Sequence, residues 1–257
     1  MQPASMVKPA RLAALALATA VGLSGCASAQ GQRSQTLAPA VEKITYYPSF
    51  VKGYQGTYPK RRVLVLTPIE ARPPETGEGN GRPPQGAPSQ VGVVLGRLGQ
   101  VRQRLYSKPL VSIVEAALVQ AAEEAGLAAQ ASTEPLSTAL QRTDQDYLLV
   151  SRITRCWVVR RPNPDPYGGA PWLTKATFAL DVDLYKPPFK VAFWQGTATN
   201  TYRDPAQSYP FLGASTEVSI YDDPAQVMSV ALTRAVAGVF SRPALQALIT
   251  QDKAVRR

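Results

Sequence analysis

The chain has no histidine among its 257 residues. That one absence removes the imidazole general base, the histidine-based triad and the commonest metal ligand. Any catalysis would have to rest on lysine or on carboxylates. Cysteine occurs twice, at Cys26 and Cys156. Acidic residues are in the minority, 18 against 28 Lys and Arg, which leaves a formal charge of +10. Nor is there a recognisable phosphate-cradling loop. Gly92, Gly96 and Gly99 are spaced for neither the dinucleotide fingerprint nor the P-loop. Ser112, Ser151 and Ser219 have no nucleophile setting and no histidine to serve them, which argues against a hydrolase.

What is present begins at the N-terminus. Lys8 and Arg11 precede an uncharged run from Leu12 to Leu23, mostly Ala, Leu and Val, that ends in Leu23-Ser24-Gly25-Cys26. The run is shorter than the ~20 apolar residues of a spanning helix. A basic start, an apolar core and small residues at the cut make a secretory signal peptide over 1–25. The last four residues resemble the lipobox of bacterial lipoproteins. That resemblance implies cleavage before Cys26, acylation of Cys26 with palmitate-type chains, and a mature chain from Cys26 to Arg257. One chain anchors only marginally, at about 0.8 kcal/mol per buried CH₂, and the lipobox implies two or three. Ala27, rather than Asp, follows the cysteine, which implies the outer membrane, on its periplasmic face.

With Cys26 acylated, Cys156 has no intrachain partner. It is expected either as a small apolar residue in a strand or in a mixed disulfide with a partner. The mature chain loses Lys8 and Arg11 yet stays strongly basic. An exported protein rarely meets nucleic acid. Anionic lipid head groups, lipopolysaccharide phosphates or acidic cell-wall groups are the expected counterparts.

Residues 26–43, rich in Ala, Gln, Ser and Thr, read as a flexible tether. Residues 44–250 read as a single domain, and 251–257 as a frayed basic tail. Ile44 to Tyr58 holds Tyr46, Tyr47, Phe50, Tyr54 and Tyr58 and is expected as an extended segment packed on the domain, the alternative being an exposed aromatic contact surface. Arg62–Ile69 reads as a buried strand. A Pro/Gly-rich insert at about 70–107 is expected to lie outside the core. Pro109–Ala125 carries a helical stripe of Leu110, Val114, Ala117, Leu118 and Ala121, with Gly126 as its stop. Tyr147–Val159 reads as a strand. Thr174–Tyr185 alternates cleanly and returns through Val191–Tyr202 as an antiparallel hairpin. Arg203–Tyr221 reads as a loop. Asp223-Pro224 opens a second helix, and Ala244–Ile249 forms a last turn or short helix.

The expected fold is therefore α+β: a small, mainly antiparallel sheet in the order β-α-β-β-β-α, with the helices on one face. The order of elements is similar to that of a loose group of bacterial lipoproteins. These are the YajG-like lipoproteins, the PqiC-like auxiliary lipoproteins of ABC-type lipid transport systems, and the lipoprotein activator of penicillin-binding proteins. The resemblance is carried by Arg61-Arg62-Val63-Leu64-Val65, Ala125-Gly126-Leu127, Asp146-Tyr147-Leu148-Leu149-Val150 and the Phe178-x-Leu180-x-Val182 / Trp194-x-Gly196 hairpin. It covers roughly 60–69, 108–203 and 223–240. It implies a non-enzymatic envelope component that binds other envelope proteins.

Two sets of residues could carry chemistry. Asp181 and Asp183 share one strand face; such a pair can hold a divalent metal, but a solvent-facing strand produces the same pattern, and no metal or other cofactor is expected. Arg97, Arg102, Arg104 and Lys108 lie before the first helix, and Arg152, Arg155, Arg160 and Arg161 on and after the second strand. Read plainly they form a solvated surface. Read functionally they dock anionic lipid or cell-wall groups through arginine forks. The expected function is a structural or adaptor component of an envelope protein complex. The alternatives are a lipid-transport auxiliary that binds anionic lipid, and an enzyme acting on the cell wall.

Overall fold

The computed structural model describes residues 40–48, 58–72, 89–164, 172–188, 190–203 and 223–251, all within the unit Ala38–Arg257. In chain order the strands are β1 (Ala40–Glu42), β2 (Arg62–Leu66), β3 (Ile69–Glu70), β4 (Ser89–Leu95), β5 (Val101–Ser107), β6 (Ala128–Ser132), β7 (Tyr147–Pro162), β8 (Trp172–Tyr185) and β9 (Ala192–Arg203). The helices are α1 (Leu110–Glu124), α2 (Leu136–Ala139), α3 (Pro224–Phe240) and α4 (Pro243–Gln251).

The strands join in one sheet built around β7. Along one edge of β7 come three short parallel neighbours in succession: β2 at residues 147–149, β3 at 152–153 and β4 at 158–160. Along the other edge β8 pairs antiparallel from Leu148 to Pro162, and β9 continues beyond it. β6 flanks β2 in parallel, β5 flanks β4 antiparallel, and β1 flanks β5 in parallel.

The sheet is thus mixed: its long β7–β8 and β8–β9 ladders are antiparallel, as expected, but β2, β3 and β4 join β7 in parallel. The reason is topological. α1 carries the chain back to start β6 beside β2, and α2 carries it back again to start β7. Crossovers of this kind yield parallel neighbours, whereas hairpins yield antiparallel ones. β6, with the sequence AAQAS, has almost no strand propensity and is held by its pairing with β2.

The insert is also reordered. Residues 89–107, expected outside the core, form the β4–β5 hairpin inside the sheet. Gly99, at φ +81°, makes its turn. Gly92 is what lets β4 lie against β7: a Cβ there would come within 2.1 Å of the Val158 carbonyl oxygen. Ala40–Glu42, expected within the 26–43 tether, pair with Leu105–Ser107.

The face bearing α1, α3 and α4 holds the main core. Val63, Val65, Leu149, Ile153, Cys156, Val158, Phe178, Leu180 and Val182 meet Val114, Leu118, Met228, Leu232 and Val236. Cys156 is buried, with its Sγ 3.7 Å from the Met228 Sδ. α1 ends in a Schellman turn: Leu127 N–H donates to Ala122 O and Gly126 N–H to Glu123 O, with Gly126 at φ +103°. α3 starts as its sequence indicates, with Pro224 at the first turn and Asp223 Oδ1 accepting from Ala225 N at 2.9 Å. The opposite sheet face is not free of helix. α2 covers one end of it, packing Ala139, Leu140 and Leu136 on Leu64, Leu66, Leu148 and Val150.

α3 is buried on nearly every side. Its Ser229 and Thr233 hydroxyls accept from the backbone N–H of Thr45 and Tyr47, at 2.9 and 3.0 Å. Ile44 and Tyr46 are buried in the core beside them, and the Tyr46 hydroxyl donates to Glu124 Oε2. Residues 43–48 are thus the packed extended segment that the tyrosine content suggested; 49–57 lie outside the described residues. Tyr58, buried, donates to the Phe240 carbonyl at 2.6 Å, and desolvation holds its phenol well above the usual tyrosine range.

Ser229→Ala leaves the Thr45 amide without its acceptor. It should cost about 1–2 kcal/mol in urea denaturation and speed hydrogen exchange at the Thr45 amide. Tyr58 gives a second test. Its folded-state pKa is raised, so the stability it contributes is complete below its unfolded pKa of about 10 and is lost as pH rises toward the folded value. The wild type should therefore lose stability faster than Tyr58→Phe above about pH 10, read as denaturation midpoints against pH.

Candidate interaction surface

One feature of β7 decides what the sheet shows to solvent. Its pairing with β8 slips between Ile153 and Arg155, a β-bulge. Before the bulge the odd residues Tyr147, Leu149 and Ile153 face the helices; after it the even residues Cys156 and Val158 do. The bulge therefore turns Arg155, Trp157, Val159 and Arg161 outward.

Cross-strand register then lays out the open face. One row runs Arg203, Lys175, Val159, Val93, Arg104 from β9 through β8, β7 and β4 to β5. The neighbouring row is Thr201, Thr177, Trp157; the next is Thr199, Ala179, Arg155. On the other side of the first row, Arg161 pairs with Leu173. Arg104, Arg155, Arg161, Lys175 and Arg203 are exposed, while Trp157, Val159, Val93 and Leu173 between them are half-buried. None of the five cations makes an ion pair with a described carboxylate. The result is an open face with cations around an apolar middle.

The expected basic residues divide. Arg104, Arg155 and Arg161 meet on this face. Arg102 sits at the bulge in β5, and a Cβ on Gly96 would come within 2.8 Å of its Nε. Arg97 lies in the β4–β5 turn and Lys108 between β5 and α1, both exposed. Two expected ligands are committed elsewhere. Arg160 pairs with Thr174 on the helix side, its guanidinium 4.9 Å from the Trp172 ring. Arg152 donates to Asp183 Oδ2 at 2.8 Å; that carboxylate is buried and holds it as a structural ion pair. Arg234 over Tyr202 and Arg242 over Trp194 are likewise stacked on rings.

Lys175 and Arg203 were missed in the sequence. Lys175 shares the parity of Thr177, Asp181 and Asp183 on the alternating strand, so that signal was readable. Arg203 joins only through the β8–β9 register. The two aspartates have protein partners: Asp183 holds Arg152, and Asp181 accepts from the Thr197 hydroxyl at 2.7 Å. Among the described residues no group of three or more His, Cys, Asp or Glu converges as a metal site. No described helix is long and apolar enough to cross a membrane. Away from the face, Arg142 binds Asp144 and Glu134, and the guanidinium pulls the Asp144 carboxyl well below its usual range. Leu23, Ser24, Gly25 and Cys26 lie outside the described residues, as do residues 204–221, expected as a loop.

The fold and surface define a class: an α+β domain whose mixed sheet is packed by helices on one face and opens a cationic patch on the other. No protein-family model matches the chain, and no curated protein matches it in sequence. The chain is similar in structure to a Xanthomonas campestris protein of the family DUF330, with 17% identity and a TM-score of 0.46, over 84% of this chain and 97% of that one. It is similar to a Helicobacter pylori protein described as a neuraminyllactose-binding hemagglutinin homolog, with 10% identity and a TM-score of 0.43, over 83% of this chain and 100% of that one. A lipoprotein of Neisseria meningitidis matches with 10% identity and a TM-score of 0.25, over 76% of this chain and 99% of that one. At these identities and TM-scores the likenesses assign no function.

The two kinds of arginine can be told apart. Arg152→Met strands a buried carboxylate and should cost about 1–3 kcal/mol, less than a fully buried pair because the guanidinium is 41% exposed. Arg155→Met should stay within about 0.5 kcal/mol. Paired urea denaturation curves decide it.

Proposed function

We propose that this protein is a lipid-anchored component of the bacterial cell envelope that works by binding rather than by catalysis. The anchor is Cys26, acylated after cleavage behind Leu23-Ser24-Gly25, and the location is the periplasmic face of the outer membrane. In this reading the protein is a structural or adaptor element of an envelope complex. The observation that supports it is the open face of the sheet. Arg104, Arg155, Arg161, Lys175 and Arg203 are exposed there with no carboxylate partner among the described residues, whereas Arg152, Arg160, Arg234 and Arg242 are held by an ion pair or by aromatic rings. A surface that leaves its cations unpaired is matched to an anionic counterpart.

The anchor is tested by Cys26→Ser and fractionation with a high-salt wash, which screens surface electrostatics. Wild-type protein should stay in the washed membrane pellet and carry radiolabelled palmitate. The variant should carry no label and should accumulate with its N-terminal segment uncleaved. A variant that is processed and retained in the washed pellet like the wild type would remove the anchor from this reading.

A further inference from the structure

The patch has a second part that the anchor reading does not use. At the tip of the β4–β5 hairpin, Leu98 is 92% exposed and Val101 54% exposed, with Arg97 beside them. The hairpin runs parallel to the end of β7, where Val94 pairs with Arg160. Its tip therefore lies beyond the Arg161 end of the open face. One end of the molecule thus combines a cationic sheet face with a protruding apolar turn.

We infer that the open sheet face docks flat on an anionic lipid bilayer, with Arg104, Arg155, Arg161, Lys175 and Arg203 on lipid phosphates and the Leu98 turn dipping among the head groups. Three observations carry this. The first is charge complementarity. The Arg203–Arg104 row crosses five strands, roughly 19 Å at ~4.8 Å per strand, and its cations are spread along it as a surface of many phosphates requires. A single small anion would instead need them to converge. The second is the mixture. Half-buried Trp157, Val159, Val93 and Leu173 lie between the cations, the arrangement of side chains that sit at the head-group level. Leu98, projecting without cover, suits a penetrable surface better than a rigid partner. The third is chain length. Thirteen residues, 27–39, lie between Cys26 and Ala40, at most about 50 Å of chain. Ala40 pairs with Leu105, next to Arg104. The chain from the acylated residue therefore joins the fold at the edge of the cationic row, and holds that face at high effective concentration over the bilayer.

The inference rests on the anchor reading only for delivery to the membrane, and the experiment separates the two. The full-length acylated protein carrying Thr199→Cys is labelled there with an environment-sensitive fluorophore. Thr199 is exposed on the open face, and Cys156 is buried and out of reach. The labelled protein is placed on vesicles of phosphatidylcholine alone, or with phosphatidylglycerol added. Flotation with the neutral vesicles reads the anchor, and a protein that fails to float there refutes the anchor alone. Shielding of the label from the neutral quencher acrylamide reads the face. It should appear on the anionic vesicles at low salt and reverse when salt is raised. Near an anionic surface each Lys or Arg is worth about fivefold in binding, so Arg104→Glu/Lys175→Glu/Arg203→Glu should lower the shielded fraction by at least about a hundredfold in equilibrium constant. Leu98→Asp should weaken it as well. All four positions are exposed, and a circular dichroism spectrum like that of the parent shows that the variants fold. Lys175→Arg should retain shielding. Equal exposure of the label on neutral and anionic vesicles overturns the inference. So does undiminished shielding in the triple variant, or shielding that arises only when envelope protein is added.

Discussion

The structure depends on the backbone ladder between β7 and β8. Fourteen residues of β7 pair with β8, from Leu148 to Pro162, while the opposite edge of β7 takes up β2, β3 and β4 one after another. Every other strand reaches the sheet through one of these. The ladder also sorts side chains. Residues on one side of it meet α1, α3 and α4 in the main core; those on the other side form the small α2 cluster at one end and the open cationic face at the other. Buried backbone groups must be paired; along β7 one edge is paired with β8 nearly throughout and the other in three stretches, 147–149, 152–153 and 158–160. This is what allows a strand of sixteen residues to be core on one face and wet on the other.

Charge on this molecule has two physical states. Where an arginine lies beside a buried carboxylate or over a ring, as Arg152 and Arg160 do, its role is structural. Removing Arg152 leaves a buried carboxylate without its partner. Where an arginine or lysine lies on the outer rows beyond the bulge, it contributes little to stability and much to the local potential. On β7 the bulge separates Arg160, turned to the helix side, from Arg155 and Arg161, turned outward; Arg152, outward before the bulge, is held instead by Asp183.

The N-terminal part of the fold is fastened in the same economical way. Ser229 and Thr233 are one helical turn apart on α3, and they would be poorly placed hydroxyls if the helix faced only apolar neighbours. They are instead acceptors for the Thr45 and Tyr47 amides of the segment crossing over them. The buried helix and the extended segment therefore satisfy each other, and the chain is led from this strap back to β1 at the edge of the cationic face.

Local signals were legible where a single element carries them. The Asp223-Pro224 start of α3, the Gly126 end of α1, the alternation of β8 and its hairpin with β9 follow from capping, left-handed glycine and period-two patterning, which act over a few residues. β4 and β5 were not legible because Gly and Arg interrupt their apolar residues and the Pro/Gly-rich stretch before them read as one insert; β6, made of Ala, Gln and Ser, carries no strand signal and is held by pairing with β2. The candidate patch was half legible. Arg104, Arg155 and Arg161 stand out as basic residues, but uniform alternation from Tyr147 would send Arg155 and Arg161 into the core and leave Arg160 outside. The sequence by itself determined the composition of the chain and the faces of its regular helices and strands, because those depend on neighbours in the chain. Only the tertiary structure decided that the sheet is mixed and which cations share its open face. Crossovers, registers and the bulge are relations between distant segments, and no local pattern encodes them.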